Sequence, residues 1–303
     1  MAGPPTAADE LFDPAFLDRL RALFLRLRKR RQLRKKGSQS TPATGFTREF
    51  KDFRSYTQHD DYRAIDWRMY ARLEKLFVRL YEEVQEFHVH VLLDTSESMA
   101  APHPEKQRTG QKLAVALGAL GLVSQHRVSF YTLSEKGVDG LPPLKGQGQL
   151  RRLIEHVAGL NFGGLTDFDR CVSEFRPGRQ RFGVIFMISD FFGRTIDSAE
   201  AAVNRMGAWP GEPHLIHLFH PAERRPDLSG ECELADVETG EKRRIWLDQT
   251  ELDRYQAAFE AFRSGLERAC WSRHIDYAPW TTDLDFEDTF FTLLSRGSAL
   301  AAA

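Results

Sequence analysis

VHVLLDTSESM, residues 89 to 99, is the stretch on which the fold turns. A run of β-prone apolar residues ends in Asp94, and Ser96 and Ser98 follow at alternate positions. One carboxylate and two hydroxyls therefore sit on a single turn at the carboxyl end of a strand. Open α/β sheets bind their ligands at such ends. Three hard oxygen donors suit Mg²⁺ or Mn²⁺ better than a softer metal.

Outward from this turn, strand-like and helix-like segments alternate from Phe87 onward, the pattern of a parallel sheet with helical crossovers. Strands are expected at 88–94, 128–133, 183–189, 214–219 and 274–278, and helices at 106–124, 147–158, 168–175, 195–207, 250–271 and 285–295. ECELADVETGEKRRIWL, residues 231 to 247, breaks the alternation and reads as an inserted hairpin turning at Thr239-Gly240. The expected class is α/β, a doubly wound, mostly parallel, Rossmann-like sheet.

Two further segments bear on the Asp94 turn. Phe162-Gly163-Gly164-Leu165-Thr166-Asp167 is a glycine-bearing loop ahead of a helix, which brings the Thr166 hydroxyl toward another element. Val184 to Ser189 is a continuous apolar run closing on Asp190, as expected of a strand buried on both faces. If that strand neighbours the one ending at Asp94 across the switch point, then Asp94, Ser96, Ser98, Thr166 and Asp190 share one sheet edge. The competing reading is that these residues cap helix starts.

In combination these residues resemble the metal-ion-dependent adhesion site of von Willebrand factor type A domains: Asp-x-Ser-x-Ser after a strand, a loop threonine, and an aspartate ending a later strand. The resemblance implies that Ser96, Ser98 and Thr166 ligate Mg²⁺ and that Asp94 and Asp190 act directly or through water. Leu165 separates the glycines from Thr166, and Asp167 is a further candidate for a water-mediated role. Upstream, Arg48-Glu49-Phe50, Tyr56-x-x-x-Asp60-Asp61-x-Arg63-x-Ile65-Asp66-Trp67-Arg68, Ala71-Arg72 and Leu76-x-Val78 resemble the bacterial domain of unknown function 58, over residues 45 to 200 and more loosely throughout. His59 stands where that family usually carries Gly. The resemblance implies a protein partner, a MoxR-type AAA+ ATPase or its client.

The ends of the chain read differently. Residues 1–12 are expected to be disordered. Asp13-Pro14 opens a helix in which Phe16, Leu20, Leu23 and Leu27 recur at helical spacing. That helix runs into RKRRQLRKK, residues 28 to 36. Two readings of residues 19–36 stand: peripheral contact with anionic lipid, nucleic acid or an acidic partner, or a docked helix whose basic end is solvated and complements the helix dipole. The expected organisation is thus a tail and basic helix over 1–36, an extension over 37–86 packed on the core, and the main domain over 87–298. In the extension, Asp60, Asp61, Arg63, Asp66, Arg68 and Arg72 read as a structural ion-pair network.

Composition narrows the function. Forty-two basic against 43 acidic residues leave a net charge of −1, so whole-chain charge gives no reason to expect a nucleic-acid partner. Three scattered cysteines without CxxC spacing suggest neither a disulfide framework nor a zinc site. The start of the chain lacks a signal pattern, and the Leu113–Val123 run is too short to span a bilayer. A cytoplasmic location is expected. His88 and His90, like His214, His217 and His220, read as structural. The leading reading is a non-enzymatic, Mg²⁺-dependent protein-binding module. A Mg²⁺-dependent hydrolase or phosphotransferase is the alternative, but the acid–base aspartate that a phosphatase loop needs two residues after Asp94 is Ser96. GxxxxGK[ST], GxSxG and HExxH are absent. A lipid or nucleic-acid binder acting through the basic helix is the third.

Overall fold

A computed structural model describes residues 11–12, 16, 18–20, 22, 48–57, 60–83, 87–176, 183–193, 196–237 and 240–296. The chain divides into two units, Lys35–Glu86 and the remainder.

In the smaller unit β1 (Arg48–Ser55) pairs antiparallel with β2 (Phe77–Glu83), with the register shifting between Phe50 and Asp52. Helix α1 (Trp67–Leu73) lies between them in sequence. Asp66 starts it by accepting from Arg68 N and Met69 N, and Glu74 ends it in the left-handed region at φ 52°. Aspartates of the expected ion-pair network also serve the backbone. Asp61 accepts from Arg63 N, and Asp60 accepts from Thr57 N and Oγ1 while pairing with Arg54 at 2.6 Å. These short side chains stabilise local backbone turns. His59 lies outside the described residues.

In the larger unit β3 (His88–Asp94) is flanked by β4 (Arg127–Ser134) and, much later in the chain, β7 (Gly183–Ser189). β5 (Gly137–Gly140) and the short β6 (Leu144–Lys145) lie antiparallel to β4. β8 (Glu212–Phe219) and β11 (Asp276–Thr281) extend the other side, giving the order β11-β8-β7-β3-β4-β5. The pairs β3–β4, β3–β7, β7–β8 and β8–β11 are all parallel. The expected doubly wound α/β sheet is present, and winding reverses between β3 and β7.

Of the five strands expected in this sheet, β3, β4, β7 and β8 lie within two residues of their expected bounds, and the last does not. Helix α7 (Gln249–Ser272) runs to Ser272, and the chain reverses through His274 at φ 57°, so β11 begins at Asp276 rather than 274. The inserted hairpin is β9 (Gly230–Ala235) with β10 (Lys242–Leu247), a two-stranded antiparallel sheet apart from the main one. Its turn residue Thr239 lies outside the described residues.

Side-chain alternation along β3 divides the core. Val89, Val91 and Leu93 face α2 (Pro104–Val123), α3 (Leu150–Ala158) and α8 (Phe286–Arg296). Leu92 faces the cluster formed with α4 (Phe168–Glu174), α5 (Ile196–Met206) and α7. The apolar Leu113–Val123 run is the buried body of α2, as expected of a helix covering a parallel sheet.

The start of the N-terminal helix belongs to this unit. Phe12, Phe16 and Leu20 are buried in the core, Phe16 meets the Phe286 ring edge-on at 5.5 Å, and Arg19 pairs with Glu287 at 2.5 Å. The expected disorder through residue 12 is therefore corrected at its end: Leu11 is helical and Phe12 is 3% exposed. Asp13-Pro14, Leu23, Leu27 and the basic run 28–36 lie outside the described residues. Among the described residues no helix is long and apolar enough to cross a membrane.

Candidate metal centre

The reversal between β3 and β7 sets the site. Leu93 pairs with Ile188, so one residue further on Asp94 comes opposite Ser189, and Asp190 follows directly. The Ser189 hydroxyl donates to Asp94 Oδ2 at 2.5 Å and accepts from Phe191 N at 2.8 Å. Across the other oxygen, Thr166 Oγ1 donates to Asp94 Oδ1 at 2.5 Å, and Ser96 N donates to the same atom at 3.0 Å. Thr166 reaches this position because its loop is tied to the Asp94 turn by Gly163 N to Thr95 O and Glu97 N to Gly164 O, both 2.9 Å, with Gly164 at φ 70°.

Ser96 and Ser98 lie 3.0 Å apart, hydroxyl to hydroxyl, as the chain enters the short 3₁₀ turn Glu97–Met99. Ser96 precedes that turn without a side-chain capping bond. Asp94, Ser96 and Asp190 are wholly buried, and Thr166 and Ser98 nearly so. All five residues named from sequence thus meet at one end of the sheet, as a set of hard oxygen donors. The capping reading holds for a sixth: Asp167 accepts from Arg170 N at 3.0 Å and starts α4.

Burial, and then the negative charge of Asp190, push the Asp94 carboxyl up to about 6, against the opposing hydrogen bonds from Ser189, Thr166 and Ser96. A buried Asp94 carboxylate whose side-chain partners are hydroxyls, with the charge of Asp190 acting on it, is an unfavourable arrangement that a cation would relieve, so the donor set fits a divalent ion of the Mg²⁺ type.

Three residues of this neighbourhood escape a sequence reading: Ser189, Lys106 and Glu223. Lys106, on the first turn of α2, is fully buried and donates to Asp190 Oδ2 at 2.7 Å and to Glu223 Oε1 at 2.5 Å. Glu223 sits in α6 (Pro221–Arg224), where its other oxygen accepts from His220 N at 2.8 Å in a capping box. Burial alone would lower the Lys106 ammonium; the facing charges of Asp190 and Glu223 raise it above its ordinary value. Asp190 Oδ1 also accepts from Phe192 N at 3.1 Å.

Nearby, His103, Glu105 and His220 bring ligand-type atoms within 4.8 Å of one another. The two imidazoles stack at 3.9 Å and 11°, and His220 Nδ1 accepts from Ala222 N at 3.2 Å. Parallel stacked rings aim their lone pairs past each other, so this group is a cap and a stack as it stands. Three further histidines meet protein groups. His88 meets Ser129 Oγ at 2.9 Å, His217 Nδ1 meets Tyr277 OH at 2.7 Å, and His214 pairs with Asp276 at 3.1 Å. The cysteines are free thiols.

The model of the family described as "Protein of unknown function DUF58" matches residues 52–264. The chain belongs to the DUF58 family. No curated protein matches the chain in sequence. Similar solved structures include the conserved hypothetical protein BatB of Bacteroides thetaiotaomicron, at 14% identity over 72% of this chain and 100% of that one, TM-score 0.39. An aerotolerance-related membrane protein of Bacteroides fragilis, also 14% identical over 72% and 100%, has TM-score 0.42. The SpRpn10 VWA domain is 12% identical over 71% and 97%, TM-score 0.39. Likenesses this distant carry no functional argument, and the site has to be read from its own chemistry.

Proposed function

We propose that this DUF58 chain is a non-enzymatic, metal-dependent protein-binding module. Mg²⁺, or Mn²⁺ in its place, is held by the hydroxyls of Ser96, Ser98 and Thr166, with Asp94 and Asp190 bound directly or through water. The carrying observation is the pair of buried carboxylates at the switch point, Asp94 held between the hydroxyls of Thr166 and Ser189, with the hydroxyls of Ser96 and Ser98 on the same turn. Mg²⁺ prefers six oxygen ligands and keeps water where protein ligands run out, so an outside carboxylate can complete its sphere. The partner is then a protein presenting Asp or Glu, and the family resemblance favours a MoxR-type AAA+ ATPase or its client in the cytoplasm.

Binding is favoured over hydrolysis by the hydroxyl–hydroxyl pairing of Ser96 with Ser98, at the position where a phosphatase loop needs a carboxylic acid. The reading is tested by pull-down of a purified MoxR-type ATPase with the full chain, in Mg²⁺ and in EDTA, comparing wild type with Asp94→Ala. Retention that requires both Mg²⁺ and Asp94 is expected. Equal retention in EDTA, or by a folded Asp94→Ala chain, rejects it.

A further inference from the structure

Lys106 is an odd residue to bury. It stands on the first turn of α2, where the helix dipole disfavours a cation. Its side chain has no exposure. Packing alone does not call for it, since an apolar side chain of similar volume replaces a buried ion pair with little loss and often with a gain. Its ammonium lies between two carboxylates, Asp190 at 2.7 Å and Glu223 at 2.5 Å, and faces the Phe192 ring at 5.7 Å.

Counting charge around the candidate centre suggests why. Asp94, Asp190 and Glu223 contribute three negative charges when ionised, and Lys106 one positive. The cluster therefore presents two net negative charges, the complement of one divalent ion. Without Lys106, the loaded centre would keep a negative charge and repel an incoming carboxylate. With Lys106 but without Glu223, it would be positive and hold its metal less well.

We propose that Lys106 is the charge-setting residue of the metal centre: it makes the loaded site electroneutral, trading metal affinity for the ability to accept a partner's carboxylate. This rests on the metal-binding reading above. Its signature is a pair of effects of opposite sign. Removing the ammonium strengthens metal binding and weakens carboxylate binding, whereas a loss of structure would weaken both.

The experiment uses the full chain at pH 8 with Mn²⁺ as the metal probe and acetate as the carboxylate probe. Free Mn²⁺ is followed by its electron paramagnetic resonance signal. Acetate entry is followed by the fall in water-proton relaxation as it displaces a metal-bound water. Lys106→Met is expected to bind Mn²⁺ about tenfold or more tighter and acetate correspondingly weaker, the scale set by one unit charge acting on a divalent ion in a partly polar interior. Glu223→Gln is expected to move both the other way. Because Lys106→Met strands three carboxylates together, the double variant Lys106→Met/Glu223→Gln is the decisive one: it restores two net negative charges and should return both affinities toward wild type.

A double variant that stays displaced in both affinities, or single variants that shift metal and acetate binding in the same direction, overturns the charge-setting role while leaving the metal site standing. No Mn²⁺ binding by wild type overturns the role and the proposed function together.

Discussion

Asp94→Asn separates what the site does for stability from what it does for metal. In the metal-free chain the Asp94 carboxylate is buried beside Asp190, and its pKa is pushed from an ordinary 3.8 up to about 6. A carboxyl whose folded pKa lies above its unfolded one binds a proton more tightly in the folded state, so this group's contribution to stability is whole at low pH and is lost as pH rises through the interval from about 4 to about 6. A shift of about two units corresponds to about 3 kcal/mol of folding free energy withheld at pH 8.

Asparagine removes the charge and keeps an oxygen for Thr166 Oγ1 and Ser96 N; its amide then faces Ser189 Oγ, which must turn to accept. Allowing about 1 kcal/mol for that rearrangement, metal-free Asp94→Asn should be about 2 kcal/mol more stable than wild type at pH 8 and show no such loss between pH 4 and 6. It should also forfeit any stabilisation by Mg²⁺. Urea unfolding in EDTA across pH 4–8, repeated in Mg²⁺, measures all three. A variant less stable than wild type at pH 8 in EDTA, or one with an unchanged pH slope, refutes the claim that Asp94 is held against its charge.

Elsewhere on β3, His90 is buried with Nδ1 unpartnered, and burial, then the neighbouring His88, lower it to about 3. Its contribution is whole above the unfolded value of 6.5 and is lost as pH falls toward 3, about 2 kcal/mol by pH 5. His90→Phe should therefore flatten the acid limb of the unfolding curve by about that amount, and an unaltered limb contradicts it. Gly121, inside α2, should resist the usual helix-stabilising change. A Cβ there lies 2.6 Å from Val128 Cγ2 and 3.1 Å from Val89 Cγ2. Gly121→Ala should thus lose up to about 2 kcal/mol net in denaturant unfolding despite about 1 kcal/mol of gained propensity, and a stabilised variant would show that the helix and sheet can move apart.

What could be read from the sequence followed how local each signal is. Two-sided burial wrote β7 as an unbroken apolar run and β3 as one interrupted by His90. The expected helices fall within about two residues of α2, α4, α5, α7 and α8, whereas α3 begins at Leu150 rather than 147 and α6 was not expected. The five oxygen donors were legible because four end or follow a strand and Thr166 lies in a glycine-bearing loop just ahead of a helix. The short antiparallel strands β5 and β6 were not, since four- and two-residue strands at an edge carry too little pattern. Nor was the manner in which Asp60, Asp61 and Asp66 serve backbone N–H groups, because an ion pair and an Asx turn have the same composition.

The electrostatics of the site were illegible for a different reason. Lys106 meets Asp190 across 84 residues and Glu223 across 117, and those contacts exist only once β3, β7 and β8 lie side by side. One local trace was nonetheless present: a lysine on a helix's first turn opposes the dipole there, and a residue that violates a local rule invites a long-range explanation. The same holds for Asp94, whose burial beside another carboxylate is unfavourable on folding terms alone. Opposite anomalies at one sheet edge, a cation where a helix does not favour one and carboxylates where a core does not, account for each other. The balance they leave is two negative charges, and no side chain among the four supplies the cation that would match it.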